Sequence, residues 1–205
     1  MAARPKKIQA QDIIGAHPTH GCVFADCFDA IDCYTTARVP HRVLARTSEE
    51  QAMIEPLRQM LTKHHASEAK LKRVETMRQI LTKRGRHSTV KGLRLFPTNV
   101  NTRKGNLAES LLSEYVDATG KAETLVYRLR HNPNIDQSMK GDDLLAFHFE
   151  KAISGIVVGE ANFARMRTRW WSLQFAKRFN GRSRAVCRCL CNLSQTEFSK
   201  PAMQY

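Results

Sequence analysis

The side chains best suited to metal or redox chemistry are cysteines and histidines close to the two ends of the chain. They are Cys22, Cys27 and Cys33 beside His17 and His20, and then Cys187, Cys189 and Cys191 among arginines. Zinc sites usually contain closely spaced cysteine pairs, and neither group has that spacing. Because the N-terminus lacks the apolar stretch of a secretion signal, reduced thiols are expected. We therefore predict no cofactor, with zinc at these cysteines and histidines as the alternative.

Catalytic motifs are the next candidates. Asp26, Asp29 and Asp32 could support metal-assisted chemistry, or they form a solvated acidic face, which we favour. His64 and His65 are adjacent and cannot share a helix face as paired metal ligands do. The sequence contains no Gly-rich phosphate loop, nucleophile elbow or His-Glu-x-x-His motif. We predict that the chain is not an enzyme.

The net charge points to an anionic partner. The 205 residues include 33 Lys+Arg and 19 Asp+Glu, which gives a formal charge of +14. Such an excess favours nucleic acid, an acidic membrane face or an acidic protein. No stretch of about 18 apolar residues is present, so we predict a cytoplasmic protein without a membrane partner.

Helices must position most of these side chains. Residues 47–85 read as a charged helical region that Thr47 caps, Pro56 kinks or restarts, and Gly85 ends. Residues 141–180 show apolar residues at helical spacing and predict C-terminal helices. Residues 1–46 form a Cys- and Asp-containing segment that fits strands or a short helix. Residues 181–205 form a basic, cysteine-containing tail, predicted to be mobile.

Residues 88–134 carry the most informative pattern. A strand is predicted from Val90 to Phe96, with leucines on one face. A helix follows, capped by Asn101 or Thr102 and running to about Ala118, with a buried face of Leu107, Leu111, Leu112, Tyr115 and Val116. After Thr119-Gly120-Lys121 a second helix carries Leu125, Val126 and Leu129. One short strand is not stable alone, and the simplest partner is the same strand of another subunit.

This order of elements resembles the ribbon-helix-helix family of DNA-binding proteins. The resemblance rests on the Leu-Arg-Leu-Phe strand and on Leu107 through Arg128. It implies a mainly α protein with one short β-strand per protomer, an antiparallel ribbon between two subunits, and extra helices. The implied partners are double-stranded DNA, whose major groove accepts such a ribbon, and a second copy of the chain.

The resemblance also assigns roles to individual residues. Arg94 becomes the leading base reader because arginine can form a forked pair with guanine. Phe96 would contact a thymine methyl group, and Gly92 and Lys91 would complete the reading face. The phosphate contacts implied are Lys121 and Ala122 at the start of the second helix, with Arg103 and Lys104 before the first.

These assignments predict a sequence-specific transcriptional regulator. The layout also resembles a family of conjugative-element proteins, the transcriptional activators of IncC plasmids, which implies activation of transfer genes. RNA polymerase or another regulator would then be a further partner. The alternative is an RNA- or single-strand-binding protein that stacks bases on Trp170, Trp171 and Phe175 of a basic C-terminal helix.

Overall fold

A computed structural model describes residues 9–36, 39–150, 153–162, 170–179 and 182–192. Its first half contains two short helices, a strand pair and four further helices: α1 (Ala10–Ile14), α2 (Val23–Cys27), β1 (Phe28–Thr36), β2 (Val39–Arg46), α3 (Glu50–His65), α4 (Glu68–Lys83), α5 (His87–Gly92) and α6 (Val100–Ala118). A short 3₁₀ helix and four strands follow: Arg128–His131, β3 (Leu144–Phe149), β4 (Ile153–Asn162), β5 (Trp170–Phe179) and β6 (Arg182–Asn192).

The strands of the described residues form one sheet in the order β1-β2-β6-β5-β4-β3. Neighbouring strands are antiparallel except β2 and β6, which are parallel. The prediction of a mainly α protein with one strand per protomer is therefore wrong, and the fold is mixed α and β.

Helix α6 packs on this sheet and forms the centre of the core. The predicted buried face of α6, Leu107 to Val116, is buried as expected and joins Leu144 and Val157 in one cluster. Gly159 allows the close approach, because a Cβ there would lie 3.1 Å from atoms of both Leu112 and Leu144. The helix is thus held against the β3–β4 hairpin.

The predicted ribbon does not form. Residues 87–92 are helical in α5, and the following residues up to Pro97 are irregular. Arg78 Nη2 donates to the carbonyl of Leu93 at 2.9 Å, so a side chain bonds a backbone group that a partner strand would otherwise bond. The alternating pattern of Leu93 and Leu95 is too short to distinguish a strand from an irregular segment whose leucines face inward.

The predicted second helix after Gly120 is also absent from the described chain. Glu123 and Phe147 exchange backbone hydrogen bonds of 2.9 and 3.0 Å, so this segment bridges to β3. Only Arg128–His131 is helical, and it is a 3₁₀ turn. The exposed backbone groups at the edge of β3 compete with helix formation here.

Residues 141–180 were predicted as helices and instead contribute β3, β4 and β5. Burial alternates along β3, where Leu144, Ala146 and His148 are buried and Leu145 and Phe149 are exposed. The β-branched run around Val157 and Val158 favours strands, and helical spacing in this segment was coincidental. Trp170 lies in β5, so the predicted basic tryptophan-containing helix is wrong as well.

Other local predictions are confirmed in part, whereas the predicted caps at Thr47 and at Asn101 or Thr102 and the restart at Pro56 are wrong. The 47–85 region is helical, and α4 ends at Lys83, two residues before Gly85, whose φ is 68°. Helix α3 starts at Glu50 without a Thr47 cap and continues through Pro56, the restart coming instead at Ser67. Helix α6 ends at Ala118 as predicted, but Asn99 caps it.

The predicted tail of residues 181–205 contains a strand, and its mobility stays a prediction. Arg182–Asn192 is strand β6, whereas 193–205 and 1–8 lie outside the described residues. The N-terminal segment contains both short helices and strands, α1, α2, β1 and β2. The division into domains stays a prediction.

Candidate functional site

A cluster of three charged side chains lies where α6 meets the 3₁₀ helix and the start of β3. It consists of Glu109, Arg128 and Asp143, and we call it the Glu109 cluster. Arg128 Nε and Nη2 donate to the two carboxylate oxygens of Glu109 at 3.1 and 3.0 Å. Arg128 Nη2 also lies 3.2 Å from Oδ1 of Asp143. One guanidinium thus bridges two carboxylates.

Backbone groups fix the other atoms of the cluster. Arg128 Nη1 donates to the carbonyl of Asp142 at 2.5 Å, and the second oxygen of Asp143 accepts from the amide of Ala161 at 2.9 Å. The amide of Asp143 in turn donates to the carbonyl of Gly159 at 3.1 Å. The exposed Glu160 therefore lies at the same end of the β3–β4 hairpin as Asp143.

Burial changes the protonation of Glu109. The residue is only 7% exposed, and this burial raises its pKa to about 7. Arg128 opposes the rise and the negative charge of Asp143 adds to it. A carboxyl group with a pKa near neutrality can hold or release a proton under ordinary conditions, and such groups are concentrated at functional sites.

Sequence reasoning missed all three members of this cluster. The signal that could have found Glu109 is its place in α6: every residue from Asn106 to Ser113 is buried, so a glutamate within that run must meet a partner. Its partners, Arg128 and Asp143, are 19 and 34 residues further along the chain, and only the fold brings them together.

The residues predicted to read DNA bases lie elsewhere, around a groove of about 880 Å³ between α3, α4, α5 and the start of α6. We call this the basic groove. Lys91, Arg94 and Phe96 line it, together with Arg103 and Lys104 from the predicted phosphate contacts. Gly92, the last residue of α5, does not line the groove; a Cβ on it would meet nothing within 4 Å.

Two of these residues already have partners inside the protein. Arg94 Nη2 lies 3.0 Å from a carboxylate oxygen of Asp136, which also accepts from Thr98. The ring of Phe96 packs against His65, with 5.0 Å between centroids. Without the ribbon, the geometry that would place them against bases is lost, and their contact with nucleic acid stays a prediction.

The remaining phosphate candidates, Lys121 and Ala122, do not line the groove and belong to a different depression. Lys121 is exposed and Ala122 is 8% exposed. Asp117 and Glu123 line the same depression, and their charge disfavours a phosphate there. Apart from Gly92, the predicted site residues thus lie in two separate depressions.

Two of the candidate residues in the N-terminal segment, His17 and Asp32, have structural partners. His17 lies 3.1 Å from both the Tyr115 hydroxyl and the Phe28 carbonyl. Asp32 accepts from Arg42 at 2.6 and 2.9 Å. Among the described residues no group of three or more His, Cys, Asp or Glu is arranged to hold a metal ion, and the absence of a cofactor stays a prediction.

Comparison with known proteins identifies the family. The family model of HamA matches residues 24–169. The chain is also 36% identical over 153 residues to the Hachiman protein HamA of Bacillus cereus. The chain belongs to the HamA family. No solved structure gives a significant match.

Membership of the HamA family overturns the ribbon-helix-helix resemblance and the transcriptional activator that it implied. The alternative RNA- or single-strand-binding function is likewise unsupported, since its helix is a strand. The aligned region covers 74% of this HamA chain and 55% of the relative, so the chain spans about half the length of the curated HamA that it matches. All three members of the Glu109 cluster lie within the matched residues 24–169.

No helix in the described part of this HamA chain combines the length and apolar character needed to cross a membrane.

Proposed function

We propose that this chain acts as the HamA component of a Hachiman-type phage-defence system, and that the Glu109 cluster is essential to this activity. The observation that carries the proposal is the match of the HamA family model to residues 24–169, which include every element that builds the cluster.

The energetics of the cluster support a functional role. Burying a carboxylate costs several kcal/mol, and replacing a buried ion pair by apolar residues of similar size is often neutral or stabilising. Glu109 is buried against two other charged groups at the end of a hairpin, where an apolar contact between α6 and β3 would hold the fold as well. If the Glu109 cluster only held α6 against the β3–β4 hairpin, it would not require charged side chains.

The structural alternative is that Arg128 simply ties the loop of residues 139–143 to α6. It donates to the carbonyls of Met139 and Asp142 at 3.4 and 2.5 Å, which fits such a role. A substitution at Glu109 that preserves the shape of the side chain distinguishes a functional role of the cluster from this structural role. It removes the titratable charge while Arg128 keeps its backbone contacts.

The proposal places the chain in the cytoplasm. Cys22, Cys27 and Cys33 are free thiols in the described structure, which suits a reducing compartment. The predictions of duplex DNA, a homodimer, and polymerase or another regulator as partners stay predictions. So does the prediction that the chain is not an enzyme.

The test is phage protection in cells that carry the chain's gene in its own genomic neighbourhood. Deleting this gene alone should raise the efficiency of phage plating at least tenfold. Glu109→Gln should behave like the deletion, whereas Glu75→Gln, the same change at an exposed position of α4, should protect like wild type.

Two results would overturn the proposal. Equal plating with and without the gene would remove the defence function. Full protection by Glu109→Gln would leave the defence function intact but exclude the Glu109 cluster from it. Immunoblots of soluble protein and thermal melting of each purified variant distinguish loss of activity from loss of folding.

A further inference from the structure

The basic groove combines positive charge with an apolar floor. Among the described residues that line it, six are lysine or arginine and none is a carboxylate: Arg58, Arg78, Lys91, Arg94, Arg103 and Lys104. The apolar part of the lining includes Leu61, Leu93 and Leu95. Arg58 and Arg94 pair with Glu55 and Asp136, while Lys91 and Arg103 have no ion-pair partner among the described residues.

One wall of the groove is a helix whose apolar side has little covering. Helix α4 has no buried residue, although Leu71, Val74, Met77 and Leu81 recur at helical spacing. Met77 is 44% exposed. Leu71 and Arg78, two turns apart, both line the groove, so one side of α4 faces it, whereas Val74, Met77 and Leu81 are not among the lining residues. An amphipathic helix normally buries such a stripe.

The lining discriminates between classes of anionic partner. Interfaces with nucleic acid are polar and strongly positive, because phosphates and sugars form most of the contacts. Leucines, two valines and a proline in the groove, such as Leu93, Val100 and Pro97, offer little to a phosphate backbone. They suit the aliphatic face of a helix, and grooves between helices bind such faces through residues at i, i+3, i+4 and i+7.

We propose that the basic groove binds an acidic amphipathic helix of a partner protein, with its apolar face on the leucines and its carboxylates on Lys91 and Arg103. The proposal goes beyond the defence function and does not depend on the Glu109 cluster. The helix would contact the side of α4 that carries Leu71 and Arg78 and would place negative charge opposite Lys91 and Arg103.

The first test is selection from a displayed library of random 20-residue peptides against the immobilised full chain. We expect enriched peptides to carry an excess of Asp and Glu together with apolar residues at i, i+3 or i+4, and i+7. Their binding is then measured by fluorescence anisotropy with the most enriched peptide.

Two variants place a negative charge in the groove, and each has a matched control. Arg103→Glu should weaken peptide binding at least tenfold, whereas Lys140→Glu, the same charge change at an exposed position outside the groove, should change it less than twofold. Val100→Glu, at a side chain that is 47% exposed, should likewise weaken binding, and Val126→Glu, at 62% exposed, should not. Glutamate in the first turn of α6 suits the helix dipole, so both groove variants should fold.

The proposal fails if no acidic amphipathic pattern is enriched, or if groove and control variants bind the peptide equally. It also fails if a labelled 20-base-pair duplex binds, loses affinity with Arg103→Glu and Val100→Glu alone, and no peptide is selected, because the groove would then be a nucleic-acid site.

Discussion

Arg128 holds Glu109 by two nearly equal hydrogen bonds, 3.1 Å from Nε and 3.0 Å from Nη2, with one bond to each carboxylate oxygen. This is the forked geometry in which arginine binds carboxylates most strongly. The two residues belong to different elements, α6 and the 3₁₀ helix, so the pair fixes the irregular segment after α6 against the core. Asp143 adds a second carboxylate to the same guanidinium and so connects the segment to the start of β3.

Removing the cation should destabilise the fold strongly. Arg128→Met leaves the Glu109 carboxylate buried without a positive partner, and breaking a buried pair in this way costs about 3 kcal/mol in the free energy of unfolding. Urea unfolding at pH 8 measures the loss. The double variant Glu109→Gln/Arg128→Met should recover at least half of it. Losses that simply add would show that the two side chains act independently.

Stability should depend on pH through Glu109. Its pKa is about 7 in the folded protein against an ordinary value of 4.5, so between these values the folded state holds more protons than the unfolded state. The contribution of Glu109 to stability therefore falls as pH rises from 4.5 to about 7, by at most about 1.4 kcal/mol per pH unit.

The measurement is the difference in urea midpoint between wild type and Glu109→Gln from pH 4.5 to 8. Both proteins share all other titrating groups, so the difference isolates Glu109. We expect wild type to become less stable relative to the variant as pH rises and the difference to level off above pH 7. A difference that grows in favour of wild type would contradict the raised pKa.

The sequence allowed prediction of those elements whose signals are local. Helix α6 could be found because five apolar residues share one face, and all five are buried. Gly85 could be recognised as a terminator because the left-handed conformation that ends α4 favours glycine. In both cases the information lies within a few residues of the element itself.

Local sequence patterns alone could not show that the predicted ribbon and second helix do not form. Leu93 and Leu95 alternate as in a strand, but Arg78 from α4 bonds the Leu93 carbonyl. The Glu123 segment has apolar residues at helical spacing, but it bridges to Phe147 across 24 residues of sequence. Contacts with residues distant in the sequence thus determine the conformation of both segments. The Glu109 cluster depends on contacts of the same kind.

The Tyr115 hydroxyl should stabilise the N-terminal half. It lies 3.1 Å from His17 Nδ1 and accepts from Arg42 Nη1 at 3.1 Å, in a side chain that is 0% exposed. Tyr115→Phe leaves His17 Nδ1 without this partner and should lower the free energy of unfolding by about 1–3 kcal/mol. Arg42 retains Asp32 and the Gly15 carbonyl, so the loss stays moderate.

Chemical denaturation checks this value against Ser88→Ala, which removes an exposed hydroxyl on α5 and should change stability by no more than about 0.5 kcal/mol. If Tyr115→Phe changed stability as little as Ser88→Ala, the hydroxyl would not contribute to the folded state.

The contact between α6 and the sheet should not tolerate a methyl group at Gly159. A Cβ there would lie 3.1 Å from Leu112 Cδ2 and from Leu144 Cβ and Cδ2, and Leu112 and Leu144 are both buried, so the helix or the hairpin must shift. Gly159→Ala should cost about 1–3 kcal/mol by overpacking.

The matched control for Gly159→Ala is Gly105→Ala, at an exposed position of α6 where a Cβ would meet nothing within 4 Å. Alanine in a helix interior reduces the conformational entropy of the unfolded chain and should raise stability by about 0.5–1 kcal/mol. Thermal melting of the two variants should therefore shift in opposite directions. A rise in melting temperature for both would mean that α6 and β4 are separated by more space than the Gly159 contact requires.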